Sequence, residues 1–294
     1  ESSSDGSTTA DSEKKVLTYA IGAETTDLST LYMNNSLYCT SKLVYENLVD
    51  FDNGEIVPGL AESWEYNDDQ TELTFHLRQG VTFHNGEPFN AEAVKTNLEH
   101  KQSNPSFYSL KGITDIQEIE VIDEYTITLH YDHPFYAYLQ DFCWPDVNPM
   151  SAPEYIIPGD FQTISGVAGT GPYIYDEYVA GEYTRFVRNE DYWGETPYWD
   201  EIIVKYIPDS TSRLQALQTG EIDMIYGGTL LTYDEYDQAL AMAGIDGQMA
   251  EKDTRVQVIT TNATSPYLSD IRVRQAIAYA IDKEEMSVAI SNGD

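Results

Sequence analysis

The sequence predicts a mixed α/β protein, because β-strand and α-helix patterns alternate along the 294-residue chain. Strand patterns are short runs such as TELTFHL (71–77), in which apolar side chains occupy alternate positions. Helix patterns begin after capping residues: Asn90 and Asp209 each precede apolar residues spaced three or four apart. At roughly 150 residues per domain, the length is sufficient for about two domains.

In the amino-terminal half, a strand at 16–21 is followed by a helix that we predict to run to about Val49. Leu37, Val44 and Leu48 fit one face of that helix. A second helix starts after Asn90. The other strands predicted in this half are 71–77, 116–122 and 125–131.

The carboxyl-terminal half continues the alternation after an irregular, Pro- and Gly-containing stretch at 145–172. Asp209 caps a helix that Gly220 is expected to end, and Asp270 caps the last helix. The predicted strands of this half are 184–189, 201–207 and a short buried strand at 222–226.

The charge of the chain excludes two classes of partner. Lys plus Arg is 16 and Asp plus Glu is 50, so the formal net charge is −34. Nucleic-acid-binding proteins present clustered Lys and Arg to phosphates, so we expect no nucleic-acid partner. Docking on an anionic lipid surface is disfavoured for the same reason. No apolar run approaches the ~18 residues of a membrane-spanning helix.

No motif predicts catalysis, a cofactor or a metal site. The sequence has no GxSxG, HExxH or GxxxxGK[ST] pattern. His130 and His133 are neighbours, but a metal needs more converging ligands, so a solvated strand end is the favoured interpretation. Cys39 and Cys143 have no CxxC spacing and are predicted to be buried, small hydrophobic side chains.

The most distinctive stretches are VYENLV (44–49), IVPGLAESWEYNDDQTELTFHLRQGVTFHNGEPFNAEAV (56–94), GTGPYIYDEY (169–178), RNEDYWGETPYWDEIIVKYIPDSTSRLQALQTGEIDMIYG (188–227) and IRVRQAIAYAIDKE (271–284). In this order they resemble the family 5 extracellular solute-binding proteins, the dipeptide, oligopeptide and nickel receptors of ABC importers. The resemblance runs from about Val16 to the end of the chain. Within the family, the RNEDYWGE and IPD stretches are most similar to nickel-receptor relatives.

The resemblance implies a periplasmic-binding-protein-like fold of type II with three lobes. Lobe I is discontinuous, at 16–50 and 155–260, and lobe II is an insertion at 51–154. Residues 261–294 would begin lobe III, so the chain is expected to be a fragment of a longer protein. Residues 1–15 are small, polar or charged and are predicted to be a disordered tether.

The resemblance also implies a function. The protein would be an extracytoplasmic receptor, in the periplasm or lipid-anchored at the cell surface, that captures oligopeptides or dipeptides and delivers them to an ABC permease. It would be a monomer without a cofactor and not an enzyme. A receptor for nickel or another metal chelate is the first alternative, and a secreted enzyme or adhesion module is a distant one.

In nickel receptors of the family, an arginine and an aromatic side chain hold a carboxylate chelator. The matching positions here are near 145–150 and at Phe107 or Tyr108. Asn148 lies where the arginine is expected, and no Arg occurs between Lys101 and Met150, which favours a peptide ligand. The ligand-facing loop of the family matches LYMNNSLY (31–38). The candidate ligand contacts are Tyr32, Tyr38, Phe107, Tyr108, Trp144, Asn148 and Tyr226.

Overall fold

The computed structural model describes residues 14–24, 28, 39–134, 136–144, 149–161, 165–227, 230–248 and 260–291. Its strands are β1 (Val16–Ile21), β2 (Val49–Asp52), β3 (Glu55–Pro58), β4 (Ala61–Tyr66), β5 (Glu72–Leu77), β6 (Ile116–Asp123), β7 (Thr126–Tyr131), β8 (Tyr173–Val179), β9 (Tyr183–Arg188), β10 (Glu201–Tyr206) and β11 (Met224–Ile225). Its helices are α1 (Ser41–Val44), α2 (Ala91–Ser103), α3 (Lys111–Thr114), α4 (Tyr138–Asp141), α5 (Ser210–Thr219), α6 (Tyr233–Leu240), α7 (Ile271–Ala280) and α8 (Lys283–Ser291).

Five strands form one sheet in the order β11–β1–β10–β9–β8. β1 is parallel to both of its neighbours, with Tyr19 opposite Val204 of β10 and Met224 of β11. The remaining pairs, β10–β9 and β9–β8, are antiparallel. Helix α5 connects β10 to β11 across β1, which is the long connection that a crossover between parallel strands requires. Ile21 and Phe186 are buried with Tyr19 and Val204 in the core of this sheet.

A second sheet is antiparallel, in the order β4–β5–β7–β6. Leu73, Phe75 and Leu77 alternate along β5 and are buried, as the period of a half-buried strand predicts. Val94 and Leu98 of α2 belong to the same buried cluster, so this helix covers the apolar face of the sheet. β2 and β3 form a separate two-stranded hairpin.

Partly buried Glu46, which follows α1, joins the two sheets. Its carbonyl oxygen accepts a hydrogen bond of 2.9 Å from the Met150 backbone N–H. Its carboxylate accepts hydrogen bonds from the Thr170 hydroxyl at 2.8 Å, the Tyr192 phenol at 2.7 Å and the Trp193 indole at 2.7 Å. One side chain therefore ties segments that are distant in sequence.

The predicted helix termini are confirmed. The Asn90 side chain accepts from the Ala93 backbone N–H at 3.0 Å, and Asp209 accepts from Ser212 at 2.8 Å. Gly220 ends α5 with φ of +72°, a left-handed conformation that glycine adopts without a Cβ clash. The predicted strands at 16–21, 71–77, 116–122, 125–131 and 201–207 are also confirmed within a residue or two.

The predicted helix running to Val49 is wrong, since α1 ends at Val44 and β2 begins at Val49. The carbonyl groups that a longer helix needs are bonded elsewhere. The Val44 carbonyl accepts from the Gly171 N–H at 2.9 Å, and the Asn47 carbonyl accepts from Leu60 at 2.9 Å. Tertiary hydrogen bonds thus replace the helical ones.

Two further expectations need correction. The buried strand predicted at 222–226 is only Met224–Ile225, and it is not fully buried: Ile222, ahead of the strand, is buried, but Met224 is 37% exposed. Cys143 is buried as expected, but Cys39 is only half-buried. Both thiols are free.

The last two helices carry exposed apolar side chains. Asp270 caps α7 as predicted, yet α7 has no buried residue, and Val273 and Ile277 are 40% and 37% exposed. Among the described helices, none has the length and apolar character needed to cross a bilayer. The division into lobes at 16–50, 51–154, 155–260 and 261–294 stays a prediction.

Candidate functional site

The three parallel strands of the larger sheet end at one edge. β1 ends at Ile21, β10 at Tyr206 and β11 at Ile225. In open α/β sheets, ligands bind in the crevice beyond the carboxyl ends of such strands. We name the residues that follow these strand ends, 22–24, 207–209 and 226–227, the carboxyl edge.

Tyr226, directly after β11, lies on the carboxyl edge and is 47% exposed. Its ring packs edge-on against Tyr19, with ring centroids 5.9 Å apart. The Tyr19 phenol donates to the Cys39 carbonyl at 2.7 Å, and the Cys39 thiol lies 3.7 Å from the Tyr226 carbonyl oxygen. Three residues from separate segments therefore hold one another in place, and Tyr226 presents its remaining surface to solvent.

Gly227 allows this close approach. Its φ of +132° is a conformation that other residues rarely adopt, and a Cβ there would lie 2.8 Å from the Cys39 sulfur. Any side chain at 227 would therefore separate Cys39 from the end of β11. The chain reaches Cys39 directly after segment 29–38, so the ligand-facing loop predicted from the sequence joins the described structure beside Tyr226.

This group of side chains is uncharged at neutral pH. Burial raises the pKa of the Tyr19 phenol well above its usual value. Burial also raises the pKa of the Cys39 thiol. Tyr19, Cys39 and Tyr226 thus offer an aromatic face and neutral polar groups, which suit noncovalent binding, and the Cys39 thiol is not activated as a nucleophile.

Arg213 of α5 fixes the loops around the carboxyl edge. Its guanidinium donates to the carbonyl oxygens of Ile207 and Pro208, the latter at 2.9 Å, and to the carbonyl of Leu230. The side chain is 3% exposed, and burial lowers its pKa. Arg213 therefore connects the loop after β10 to the segment after β11, and it does not present its charge to solvent.

The other described candidates lie beside the four-stranded sheet. Phe107 is wholly buried in a small cluster with Leu110 and Ile113, so its ring supports the turn after α2. The adjacent Tyr108 is 75% exposed, and Trp144, which follows α4, is 52% exposed. Tyr108 and Trp144 therefore present large aromatic surfaces to solvent, whereas Phe107 does not. Tyr32, Tyr38 and Asn148 lie outside the described residues.

His130 belongs to the four-stranded sheet, whereas the carboxyl edge belongs to the five-stranded sheet. His130 is on the outer face of β7, with its Nε2 3.0 Å from Glu120 and its Nδ1 3.6 Å from Glu72. Across the part of the chain that the structure describes, no three His, Cys, Asp or Glu side chains are placed to hold a metal ion.

Sequence reasoning missed the supporting residues Tyr19, Cys39 and Arg213. Their partners are mostly backbone carbonyls of residues that only the fold brings near. Only Arg213 could have been noticed in the sequence. It is a cation near the start of the helix capped by Asp209, where the helix dipole favours anions.

Comparisons with known proteins agree on one family. The model described as "Bacterial extracellular solute-binding proteins, family 5 Middle" matches residues 55–294. The nickel-binding periplasmic protein of Escherichia coli (strain K12) is 33% identical over 265 residues, which cover 87% of this chain and 49% of that protein. The chain thus spans about half the length of the curated relatives that it matches.

Solved structures show the same likeness. NikA from Brucella suis, in complex with Fe(III)-EDTA, superposes with a TM-score of 0.83 and is 32% identical, covering 95% of this chain and 56% of NikA. The periplasmic binding protein DppA from Helicobacter pylori, in complex with the peptide STSA, has a TM-score of 0.76 and 26% identity, with 95% and 58% coverage.

Proposed function

Because the chain belongs to the family 5 bacterial extracellular solute-binding proteins, we propose that it is part of a substrate receptor of an ABC importer. The receptor captures dipeptides or oligopeptides and delivers them to a membrane permease. The family match over residues 55–294 carries this proposal. Main-chain hydrogen bonds to a peptide would give affinity that is independent of the peptide's sequence.

We propose that some of the described residues form part of the ligand site. Tyr226 on the carboxyl edge, together with exposed Tyr108 and Trp144, provides aromatic surface for ligand side chains. Phe107 supports Tyr108 from beneath the turn. Tyr32, Tyr38 and Asn148 stay predicted contacts, in segments that adjoin Cys39 and Trp144.

A metal chelate is the second candidate cargo. The identity of 33% to a nickel-binding periplasmic protein and the TM-score of 0.83 to NikA with bound Fe(III)-EDTA favour it. Against it stands the lack of arginine between Lys101 and Met150, since a guanidinium is the group that best matches a carboxylate chelator.

We extend the proposal to location and partners. The name of the Escherichia coli relative includes the word periplasmic, so we place the receptor outside the cytoplasm, as a monomer that docks on permease subunits. A lipid anchor ahead of the polar segment 1–15 would keep it near the permease. Fractionation of native cells, with and without lipase treatment, tests the anchor.

The experiment uses the full-length protein that carries this chain, purified from its native host. Native mass spectrometry identifies what co-purifies, and thermal unfolding is then followed against concentration of those ligands. A receptor gains stability as RT ln(1 + [L]/Kd) and does not consume its ligand. Mixed peptides support the proposal, and a nickel chelate supports the second candidate.

Tyr226→Ala should weaken the ligand-induced stabilisation. Tyr198→Ala is the matched control, because Tyr198 is 64% exposed but lies ahead of the first residue of β10, at the opposite end of the strand from the carboxyl edge. Ligand turnover, or a lack of stabilisation by both peptides and chelates, would contradict the receptor function.

A further inference from the structure

The loop at 168–172, which we name the junction loop, passes from one sheet to the other. Ala168, at its start, is buried in the core of the four-stranded sheet, and Tyr173, directly after its end, is buried in the core of the five-stranded sheet. Gly169 and Gly171 approach Val44 so closely that a Cβ at either position would clash with the Val44 carbonyl. The junction loop is therefore packed tightly against the end of α1.

His84 holds the junction loop from the side of the four-stranded sheet. It lies in the hairpin at 81–89, next to Phe83, which is buried in the core of that sheet. The His84 backbone N–H donates to the Gly169 carbonyl at 2.8 Å, and the ring Nε2 lies 2.9 Å from the Gly171 carbonyl oxygen. Because a carbonyl oxygen can only accept, this contact assigns the ring proton to Nε2.

The other ring nitrogen of His84, Nδ1, is buried. Within the part of the chain that the structure describes, Nδ1 has no hydrogen-bond partner. A neutral ring leaves only a lone pair there, whereas protonation would create a buried, charged N–H without an acceptor, which costs free energy. Burial accordingly lowers the pKa of His84, although the Gly171 carbonyl acts in the opposite direction. The packed junction therefore favours the neutral ring.

The surrounding segments contain other charged and titratable groups, namely Glu46, Asp50, Arg78, Glu87, Glu154 and Tyr192. Among the described residues, none of them is bonded to Nδ1 of His84. Glu154 instead accepts from the Asn85 side chain at 3.1 Å, and Glu46 accepts from the Thr170 hydroxyl of the junction loop at 2.8 Å. Burial raises the pKa of Glu46, so protonation of Glu46 favours the native state and opposes the effect of His84.

These contacts make the junction sensitive to acid. When the loop leaves the hairpin, water reaches the His84 ring, which then titrates near its usual pKa of 6.5. Below that pH, proton binding stabilises the open state more than the packed state. We propose that His84 is a pH-sensitive contact between the two sheets: its neutral ring holds the junction loop on the four-stranded sheet, and mild acid releases the loop. This contact does not depend on the cargo of the receptor.

The test follows hydrogen exchange of the junction loop by mass spectrometry, in the full-length protein that carries this chain, from about pH 7.5 to about pH 5. Each rate is divided by the rate of the unfolded sequence at the same pH, so that only opening of the structure remains. The reporter is the Gly171 N–H, which donates to the Val44 carbonyl at 2.9 Å.

We expect protection of the Gly171 N–H to fall as the pH drops below 6.5, by at most about tenfold per pH unit, because one proton is bound. Residues 72–77, which contain β5, should keep their protection, since the opening is local. Constant protection of the junction loop across the pH range, or an equal loss in β5, overturns the inference.

The variant His84→Gln assigns the effect to the ring. The glutamine amide can donate to the Gly171 carbonyl but does not titrate, so the junction loop should stay protected in acid, a gain that misfolding cannot produce. His76→Gln is the matched control, because His76 lies on β5 of the same sheet with its side chain 44% exposed. Acid opening should persist in this control.

Glu46→Gln separates the two titrating groups at the junction loop. Acid opening should persist in Glu46→Gln, because titration of Glu46 opposes that of His84. Persistence in both Glu46→Gln and His76→Gln supports the inference even if His84→Gln does not fold. Loss of acid opening in either of these two variants, or its persistence in folded His84→Gln, overturns the assignment to His84.

Discussion

The indole of Trp193 donates a 2.7 Å hydrogen bond to the carboxylate of Glu46, 147 residues earlier in the chain. The same carboxylate accepts from Thr170 and Tyr192. Glu46 comes from the VYENLV stretch, Thr170 from GTGPYIYDEY, and Tyr192 and Trp193 from RNEDYWGE. Three motifs that carry the family resemblance therefore converge on one side chain, at the place where the two sheets are joined.

We expect Glu46→Ala to destabilise the protein by about 2 kcal/mol, because three donors lose their acceptor in a partly buried position. Denaturant unfolding of the variant measures this loss. Glu55→Ala is the control, since Glu55 is exposed on β3 and should change stability by less than about 0.5 kcal/mol. Equal effects of the two substitutions would show that the Glu46 hydrogen bonds do not stabilise the junction.

Lys101 should make stability depend on alkaline pH. Burial lowers its pKa from 10.5 to about 7. Between these values the unfolded chain binds the proton that the native state lacks, so stability contributed by this group rises with pH from about 7 to 10.5. The slope is at most about 1.4 kcal/mol per pH unit for one proton.

The measurement is the difference in unfolding free energy between the parent protein and Lys101→Met across that pH range. The unfolding free energy of the parent, relative to that of Lys101→Met, should increase as pH rises. Lys95→Met, on the same helix but paired with Glu99 near the surface, should show no such trend. A flat difference for Lys101→Met would mean that its ammonium stays charged in the native state up to alkaline pH.

Arg213→Lys should weaken ligand binding and lower stability by about 1–3 kcal/mol. A lysine ammonium cannot span the carbonyls of Ile207, Pro208 and Leu230 with the geometry of a planar guanidinium. The loops of the carboxyl edge would then separate. Calorimetric binding and thermal unfolding report the two effects, with Arg272→Lys, whose side chain is 85% exposed, as control. Unchanged affinity in Arg213→Lys would remove Arg213 from the positioning of the site.

Salt should stabilise the protein. A net charge of −34 produces self-repulsion in the folded state, and added salt screens it. We expect the thermal midpoint to rise between 10 mM and 500 mM NaCl, by about 2–4 °C for each kcal/mol of repulsion relieved. An equal rise with an uncharged osmolyte at the same osmolality would contradict a screening mechanism.

Most of the local structure is predicted correctly from the sequence. The segment around Glu46, where the two sheets are joined, is not. Asn90, Asp209 and Gly220 act through their own neighbours, so capping rules found α2 and α5. The segment around Glu46 forms its hydrogen bonds with residues 60, 150 and 171, so a pattern of apolar spacing mistook it for a longer helix. Similarly, Phe107 and Tyr108 have the same aromatic character in the sequence, and only packing shows that the first is buried and the second exposed.

The sequence by itself determined the α/β class, the helix caps, the acidic charge and the family resemblance, because these depend on residue type and on spacing within one segment. The tertiary structure decided which side chains meet. It brought Tyr19, Cys39 and Tyr226 together, turned Arg213 inward and bonded Glu46 of one motif to residues of two others. These contacts join residues that are far apart in the chain. Local conformational preferences therefore do not determine them, and the packing of the folded chain does.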